Sequence, residues 1–219
     1  MSLFEIVNEH SPWWWNGAAR LARHVPQRRT LQGRVWQEMQ RDDPRAIVVI
    51  GPRQVGKTTV LQQTVDDLLD AGWPPANLTY FDLSEDRVRI LRPSPRDVVE
   101  IHPEGFDSKK PRVLVFDELG QYHEWSSWLK QAVDSRVGRI LATDSSATLL
   151  RGGGRESGQG RWDEYVLEAL TYHEFLLLHS KGEPIDRTEV RLGQPLERFL
   201  RCGGYPEHLF DGSDALYCF

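Results

Sequence analysis

The 219-residue chain is 39% apolar and carries a net charge of −5. That suffices for one α/β core with a small appendage, and the acid excess argues against a globally basic nucleic-acid binder. Cys202 and Cys218 form neither metal-ligand spacing nor a disulfide framework, no apolar run approaches the ~18 residues of a membrane span, and the N-terminus lacks the basic-then-apolar order of a signal peptide, so a cytoplasmic protein is the simplest expectation.

Residues 1–40 read as a preface rich in tryptophan and arginine. Trp13, Trp14 and Trp15 are consecutive, so one helix or strand face cannot bury all three. One or two are expected to anchor the preface on the core; the alternative is a stacking platform for a base or a partner protein. Between Ala18 and Trp36 lie Arg20, Arg23, Arg28, Arg29 and Arg34 with no acid. That run is either a solvated helix face or a contact to a nucleic-acid backbone.

The core is expected over 41–180, where short apolar runs alternate with helical stretches, the pattern of a parallel sheet with crossover helices. A strand over 46–50 leads into Gly51, Pro52, Arg53, Gln54, Val55, Gly56, Lys57, Thr58 and Thr59, and a helix over 57–70 follows. The first eight of these nine residues fit the phosphate-loop pattern G-x-x-x-x-G-K-[ST] in the strand–loop–helix context that motif needs. Backbone N–H groups of such a loop form an anion nest at a helix N-terminus. Lys57 would reach the β- and γ-phosphates of ATP, and Thr58 would place its hydroxyl on Mg²⁺.

The next strand is expected over 78–82, then a polar loop at 107–111 and a strand over 112–116. This third strand delivers Asp117 and Glu118 at its C-terminal end. In open α/β sheets ligands sit outside the carboxyl ends of strands, so the pair would face the phosphate loop. Asp117 would hold Mg²⁺ through water, and Glu118 would polarise the attacking water. A helix over 124–135 and a strand over 139–143 follow, the latter ending in Thr143, Asp144 and Ser145. These three are candidates either to sense a γ-phosphate or to cap the next helix. A glycine-rich loop over 152–160, a strand over 163–168, a helix over 171–180, a linker from 181 and a helix over 194–202 complete the reading.

As an ordered set these segments resemble the prokaryotic AAA+ ATPases of the archaeal-type, STAND-like branch. The carriers are Ser11-Pro12-Trp13-Trp14-Trp15, GPRQVGKTT, LVFDELGQYHEWSSWLK (114–130), TDSSATLL (143–150), GRWDEYVLEALTYHEFLLL (160–178) and LERFLRCGGYPEHL (196–209). The resemblance implies a three-layer P-loop sheet of the additional-strand type, in which sequential strands are not sequential neighbours. It implies Thr143 as a γ-phosphate sensor and Arg161 as the arginine that contacts γ-phosphate, in a neighbouring subunit, with a structural salt bridge as the alternative. Arg151 and Arg155 are weaker candidates for that role. Pro206, in Gly203-Gly204-Tyr205-Pro206, would pack near the adenine as part of a lid. ATP is preferred over GTP by the resemblance, no Asn-Lys-x-Asp motif being present.

Two departures stand out. Asp144 replaces the usual glycine of the sensor strand. The sequence also stops at Phe219, where the family's core is usually followed by a C-terminal domain of nuclease-like fold. The expectation is a partial lid segment over 181–219 without that domain, in either a naturally short protein or a fragment, with the apolar end 215–219 suited to being covered by a partner or a second copy. Three functions follow as expectations: hydrolysis of Mg-ATP by Glu118-activated water, a nucleotide-gated switch or assembly module with little turnover, and an ATPase component acting on nucleic acid in a defence system.

Overall fold

Along the central strands, alternate residues enter different cores, as the period of two in a pleated strand requires. Val48, Leu114, Phe116, Ile140 and Ala142 lie in one buried cluster. Ile47, Val49, Val113, Val115 and Leu141 lie in another. A sheet apolar on both faces must be covered twice, which gives a three-layer α/β/α sandwich. The computed structural model describes residues 2–21, 27–43, 45–145, 160–180 and 194–206.

The strands are β1 (Ala46–Gly51), β2 (Leu78–Asp82), β3 (Val113–Asp117), β4 (Arg139–Ser145) and β5 (Trp162–Val166). They form one sheet in the order β2-β3-β4-β1-β5, and every pairing is parallel. β4 is the additional strand, inserted between the loop-bearing β1 and the acid-bearing β3. The expected break in strand order falls at β1, whereas β2, β3 and β4 run in chain order.

The helices are α1 (Leu3–His10), α2 (Thr30–Gln40), α3 (Lys57–Asp70), α4 (Asp86–Leu91), α5 (Pro95–Val99), α6 (Trp125–Asp134), α7 (Tyr172–His179) and α8 (Gln194–Cys202). Several start where the sequence offers reciprocal caps. Ser2 with Glu5, Ser94 with Asp97 and Thr171 with Glu174 each close a capping box, satisfying N–H groups that the first helical turn leaves open. Among the described residues no helix is long and apolar enough to cross a membrane.

The preface is more structured than the sequence reading expects. α1 and α2 both lie within it, and Ile6, Val7, Val35 and Met39 are buried in the two cores. Its other task is to cover the outer edge of β2, an edge strand whose backbone groups would otherwise be unpaired. Ser11 Oγ donates to the Tyr80 carbonyl at 3.1 Å and accepts the Tyr80 N–H at 2.9 Å. The indoles of Trp13 and Trp14 both donate to the Leu78 carbonyl, at 2.8 and 2.7 Å. The Asp82 N–H donates to His10 Nδ1 at 3.3 Å. Trp13 is 1% exposed and Trp15 is 67% exposed, so the anchors are the first two tryptophans. Trp13→Ala removes a buried ring and one acceptor's partner, and is expected to cost ~3–5 kcal/mol in chemical denaturation. Trp15→Ala is expected to stay within ~0.5 kcal/mol of wild type.

The acid-free arginine run is largely matched by acids elsewhere. Arg28 makes a bidentate pair with Asp67 at 2.6 and 2.7 Å. Arg20 pairs with Asp70 and, at 3.8 Å, with Asp66. Arg34 lies over the Tyr165 ring at 5.0 Å. Arg29 is buried, and its partners belong to the site described next. Arg23, Arg151, Arg155, the loop residues 152–159 and the C-terminal stretch 207–219 lie outside the described residues.

Candidate nucleotide-binding site

Because all five strands are parallel, their carboxyl ends gather at one rim of the sheet. Gly51 pairs with Ser145 and Asp82 with Asp117 across that rim. A Cβ at Gly51 would stand 2.1 Å from the Leu167 carbonyl oxygen, so only glycine fits where the loop leaves β1. Gly56 is left-handed at φ 96 and opens α3, a conformation glycine takes without steric cost. Gln54 (φ 64) and Glu118 (φ 51) are also left-handed. For a side-chain-bearing residue that costs of order 1–3 kcal/mol and clusters at functional positions. Pro52, Arg53 and Gln54 are exposed, Val55 and Lys57 buried, and Thr58 and Thr59 half-buried.

Lys57 Nζ donates to the carbonyls of Gly51 and Pro52 at 3.2 and 2.9 Å and lies 3.5 Å from Glu118 Oε1. The loop lysine and the second acid are therefore in contact across the rim. Asp117 is 2% exposed. Its carboxylate accepts hydroxyls from Tyr80 at 3.0 Å, from Thr143 and from Thr58. Burial pushes the Asp117 carboxyl above the usual carboxylate range, and the hydroxyls of Thr143, Thr58 and Tyr80 pull against it. Burial also raises Glu118, against the attraction of Lys57 and with the repulsion of Asp117.

Thr143 is fully buried. Its hydroxyl donates to Asp117 and accepts the Glu118 N–H at 2.9 Å, so it holds the acidic pair in one conformation. Asp144 accepts the Ser145 N–H at 2.7 Å and fills the space beside Gly120. Residues 146–150, where the next helix was expected, lie outside the described residues.

Arg161 is at the other end of the sheet. It precedes β5, and its carbonyl accepts the Ala46 N–H at 2.9 Å, where β1 begins. β1 runs from Ala46 to Gly51, about 16 Å at the rise of an extended strand, so Arg161 lies far from the loop of its own chain. Its guanidinium pairs with Asp134, Nε lying 3.0 Å from both carboxylate oxygens. Pro206, by contrast, is brought to the loop: its Cγ is 3.9 Å from where a Cβ on Gly56 would stand. The Leu170 N–H donates to the Gly204 carbonyl at 2.6 Å, seating that segment.

Sequence reasoning missed two contributors. Tyr80, from the middle of β2, reaches Asp117. Arg29, 9% exposed, donates from Nη1 to the Val55 carbonyl at 2.7 Å and from Nη2 to the Glu168 carbonyl at 2.9 Å. It also clasps Glu174, with Nε on Oε1 at 3.1 Å and Nη2 on Oε2 at 3.2 Å. The only sequence signal was the Thr171-x-x-Glu174 cap, which names Glu174 but not its cation.

Burial pushes Glu174 up, but Arg29 and the Thr171 and Thr30 backbone donors outweigh it, leaving the carboxyl below the ordinary 4.5. A depressed carboxyl contributes stability that is present above its unfolded value and lost as pH falls through its folded one. The stability gap between wild type and Glu174→Gln is therefore expected to narrow as pH drops below about 4.5, read by urea denaturation at a series of pH values.

A sequence model of the AAA domain matches residues 43–176. This chain belongs to the AAA domain family. In fold this AAA domain is similar to Saccharomyces cerevisiae Hsp104 in the extended conformation of its casein complex, with TM-score 0.55 and 14% identity over 92% of this chain and 38% of that one. It is likewise similar to the S. cerevisiae Hsp104–ADP complex, with TM-score 0.57 and 14% identity over 92% of this chain and 31% of that one. The Walker-type ATPase paby2304 of Pyrococcus abyssi gives TM-score 0.50 and 15% identity over 84% of this chain and 65% of that one. The chain spans less than two thirds of the length of each. None of the curated proteins matches it. At such identities the likeness is one of fold: a parallel P-loop sheet of the AAA type, a nucleotide-binding architecture.

Proposed function

We propose that this AAA domain binds Mg-ATP in its phosphate loop and hydrolyses the β–γ phosphoanhydride. The observation that carries the reading is the convergence of Lys57, Thr58, Asp117 and Glu118 at one rim, with Lys57 3.5 Å from Glu118. The loop N–H groups of residues 51–59 cradle the phosphates, and Lys57 moves from the Gly51 and Pro52 carbonyls to the β- and γ-oxygens. Glu118 takes a proton from water as its oxygen bonds the γ-phosphorus, and the bond to the β-bridging oxygen breaks to release ADP.

The oxygen donors of Thr58 and Asp117 suit Mg²⁺. Among the described residues no three His, Cys, Asp or Glu side chains cluster to hold a metal, which fits an ion bound by one or two protein groups plus substrate phosphates. Mg²⁺ would neutralise charge building on the phosphate oxygens.

Arg161 serves as the γ-phosphate contact of a neighbouring subunit in a homo-oligomer. Its distance from its own loop supports action in trans, and its exposed pair with Asp134 is one it can leave at little cost. Thr143 relays the γ-phosphate state to Glu118, and Pro206 flanks the base. The assignment to the STAND-like branch, the preference for ATP and the partial lid rest on the sequence resemblance, and the split into preface and core rests on composition and on the alternation of apolar runs with helical stretches.

A second reading, a nucleotide-gated switch with little turnover, is favoured by the Lys57–Glu118 contact itself. A base held by the loop lysine is kept from water until a γ-phosphate draws the lysine away. The reading of an ATPase acting on nucleic acid gains no support from Arg20, Arg28 or Arg29, which pair with Asp70, Asp67 and Glu174. A melting curve tests nucleotide binding. Mg-ATP at ~100 times its Kd stabilises by ~2.7 kcal/mol, about 5–10 °C for a domain of this size. No shift with Mg-ATP or Mg-ADP at millimolar concentration overturns the proposal.

A further inference from the structure

We propose that Arg29 is a positioning residue for the phosphate loop and makes the loop's shape depend on the docking of α7 and the segment after α8. The inference rests on the nucleotide-binding reading above. Its foundation is a ring of contacts on the side of the loop away from the acidic pair. Arg29 joins the Val55 carbonyl to the Glu168 carbonyl and to Glu174. Glu174 caps α7 through Thr171 and also accepts the Thr30 N–H that opens α2, at 3.2 Å. Leu170, just before that cap, holds Gly204, and Pro206 returns to Gly56.

The grip on Val55 has a direct consequence for phosphate binding. A trans peptide unit is planar, with its C=O and N–H pointing opposite ways, and no cis peptide occurs among the described residues. Fixing the Val55 carbonyl on Arg29 therefore turns the Gly56 N–H away from the guanidinium. That amide is one of those a phosphate loop presents to its anion. Gly56, already at φ 96, tolerates the flipped peptide as well, because glycine populates both signs of φ. The loop has two accessible peptide orientations, and Arg29 selects one.

The selection requires the guanidinium. Its fork reaches two carbonyls and both carboxylate oxygens at once. A lysine ammonium is a single point of charge and cannot span them. The strut also links ends of the chain that are far apart in sequence, so undocking of α7, which carries Glu174, from Arg29 loosens the hold on Val55. Changes at the C-terminal segment are transmitted to the loop by this route, without contact to the nucleotide.

The test uses the full chain, fluorescent mant-ADP with Mg²⁺, and ligand-free melting curves. Arg29→Lys is expected to weaken binding about ten- to hundredfold, the worth of one charge-assisted hydrogen bond, with its ligand-free melting temperature a few degrees from wild type. Glu174→Gln keeps an acceptor and is expected to lose less. The double variant is expected to bind no worse than Arg29→Lys alone, since both act through one strut. A residue that merely stabilised the fold would lower the melting temperature and leave the affinity of the folded protein intact. Arg29→Lys binding within twofold of wild type, while Lys57→Ala fails to bind, overturns the strut and leaves the nucleotide site standing. If Arg29→Lys does not fold, wild-type affinity in folded Glu174→Gln overturns it equally. Failure of the wild-type chain to bind mant-ADP overturns the site itself and the strut with it.

Discussion

Replacing Lys57 with alanine is expected to erase the thermal stabilisation that Mg-ATP gives the wild-type chain. The ammonium is 5% exposed and makes its contacts with two loop carbonyls and Glu118. In the proposed bound state it would exchange those partners for phosphate oxygens, and a hydrogen bond between charged groups contributes ~1.5–3 kcal/mol. Alanine removes that contribution and also leaves the half-buried Glu118 carboxylate facing the incoming phosphate without a cation between them. Repulsion then adds to the lost attraction, and affinity is expected to fall by at least about a hundredfold, a factor of ten per ~1.4 kcal/mol. At a nucleotide concentration that moves the wild-type melting temperature by several degrees, the variant should show no movement. Its ligand-free melting curve must be measured beside it, because the Gly51 and Pro52 carbonyls lose a donor. A shift equal to wild type would remove the loop from the nucleotide site.

Replacing Glu118 with glutamine is expected to separate binding from turnover. Glutamine keeps the shape, and the backbone N–H of residue 118 keeps its bond to Thr143 Oγ1 at 2.9 Å, so the turn after β3 stays in place. The amide cannot accept a proton from water. Loss of a general base typically costs ~10²–10⁴ in rate. Steady-state phosphate release should drop by that factor, while mant-nucleotide affinity stays the same or tightens, since one negative charge near the phosphates is gone. Equal turnover in wild type and variant would discard Glu118 as the base and leave the nucleotide-gated switch as the function.

The five strands were legible in the sequence because their apolar runs are short, bounded by turn residues and mostly uninterrupted. Each expected strand lies within two residues of an observed one, from Ala46–Gly51 to Trp162–Val166. The helices after the phosphate loop and after Glu124 follow from their periodicity and length, neither having a side-chain cap. Leu3–His10 contains neither tryptophan nor arginine, and α1 and α2 are less legible because each is short and set in a polar, mixed composition. Their apolar faces, Ile6 with Val7 and Val35 with Met39, are narrow enough to hide in it. At the candidate site, the loop, the acidic pair and the sensor-strand residues were legible from local pattern, and the fold brings Lys57, Asp117, Glu118 and Thr143 together. Tyr80 was invisible, because a tyrosine in a strand reads as core until its neighbour across the sheet is known.

By itself the sequence determined which segments are strands, which turn matches the phosphate-loop pattern, and which residues carry charge at its border. Those properties come from neighbours a few positions apart, where backbone preference and side-chain period act. Only the tertiary structure decided what the charges do. Arg29 reaches Glu174 across 145 positions and Val55 across 26, and Arg28 reaches Asp67 across 39. Such pairings exist only once the sheet has closed its order β2-β3-β4-β1-β5, since hydrogen bonds of this length are blind to sequence distance and leave no period to read. An acid-free run of arginines is the same string whether it faces solvent, a nucleic acid or the inside of its own fold.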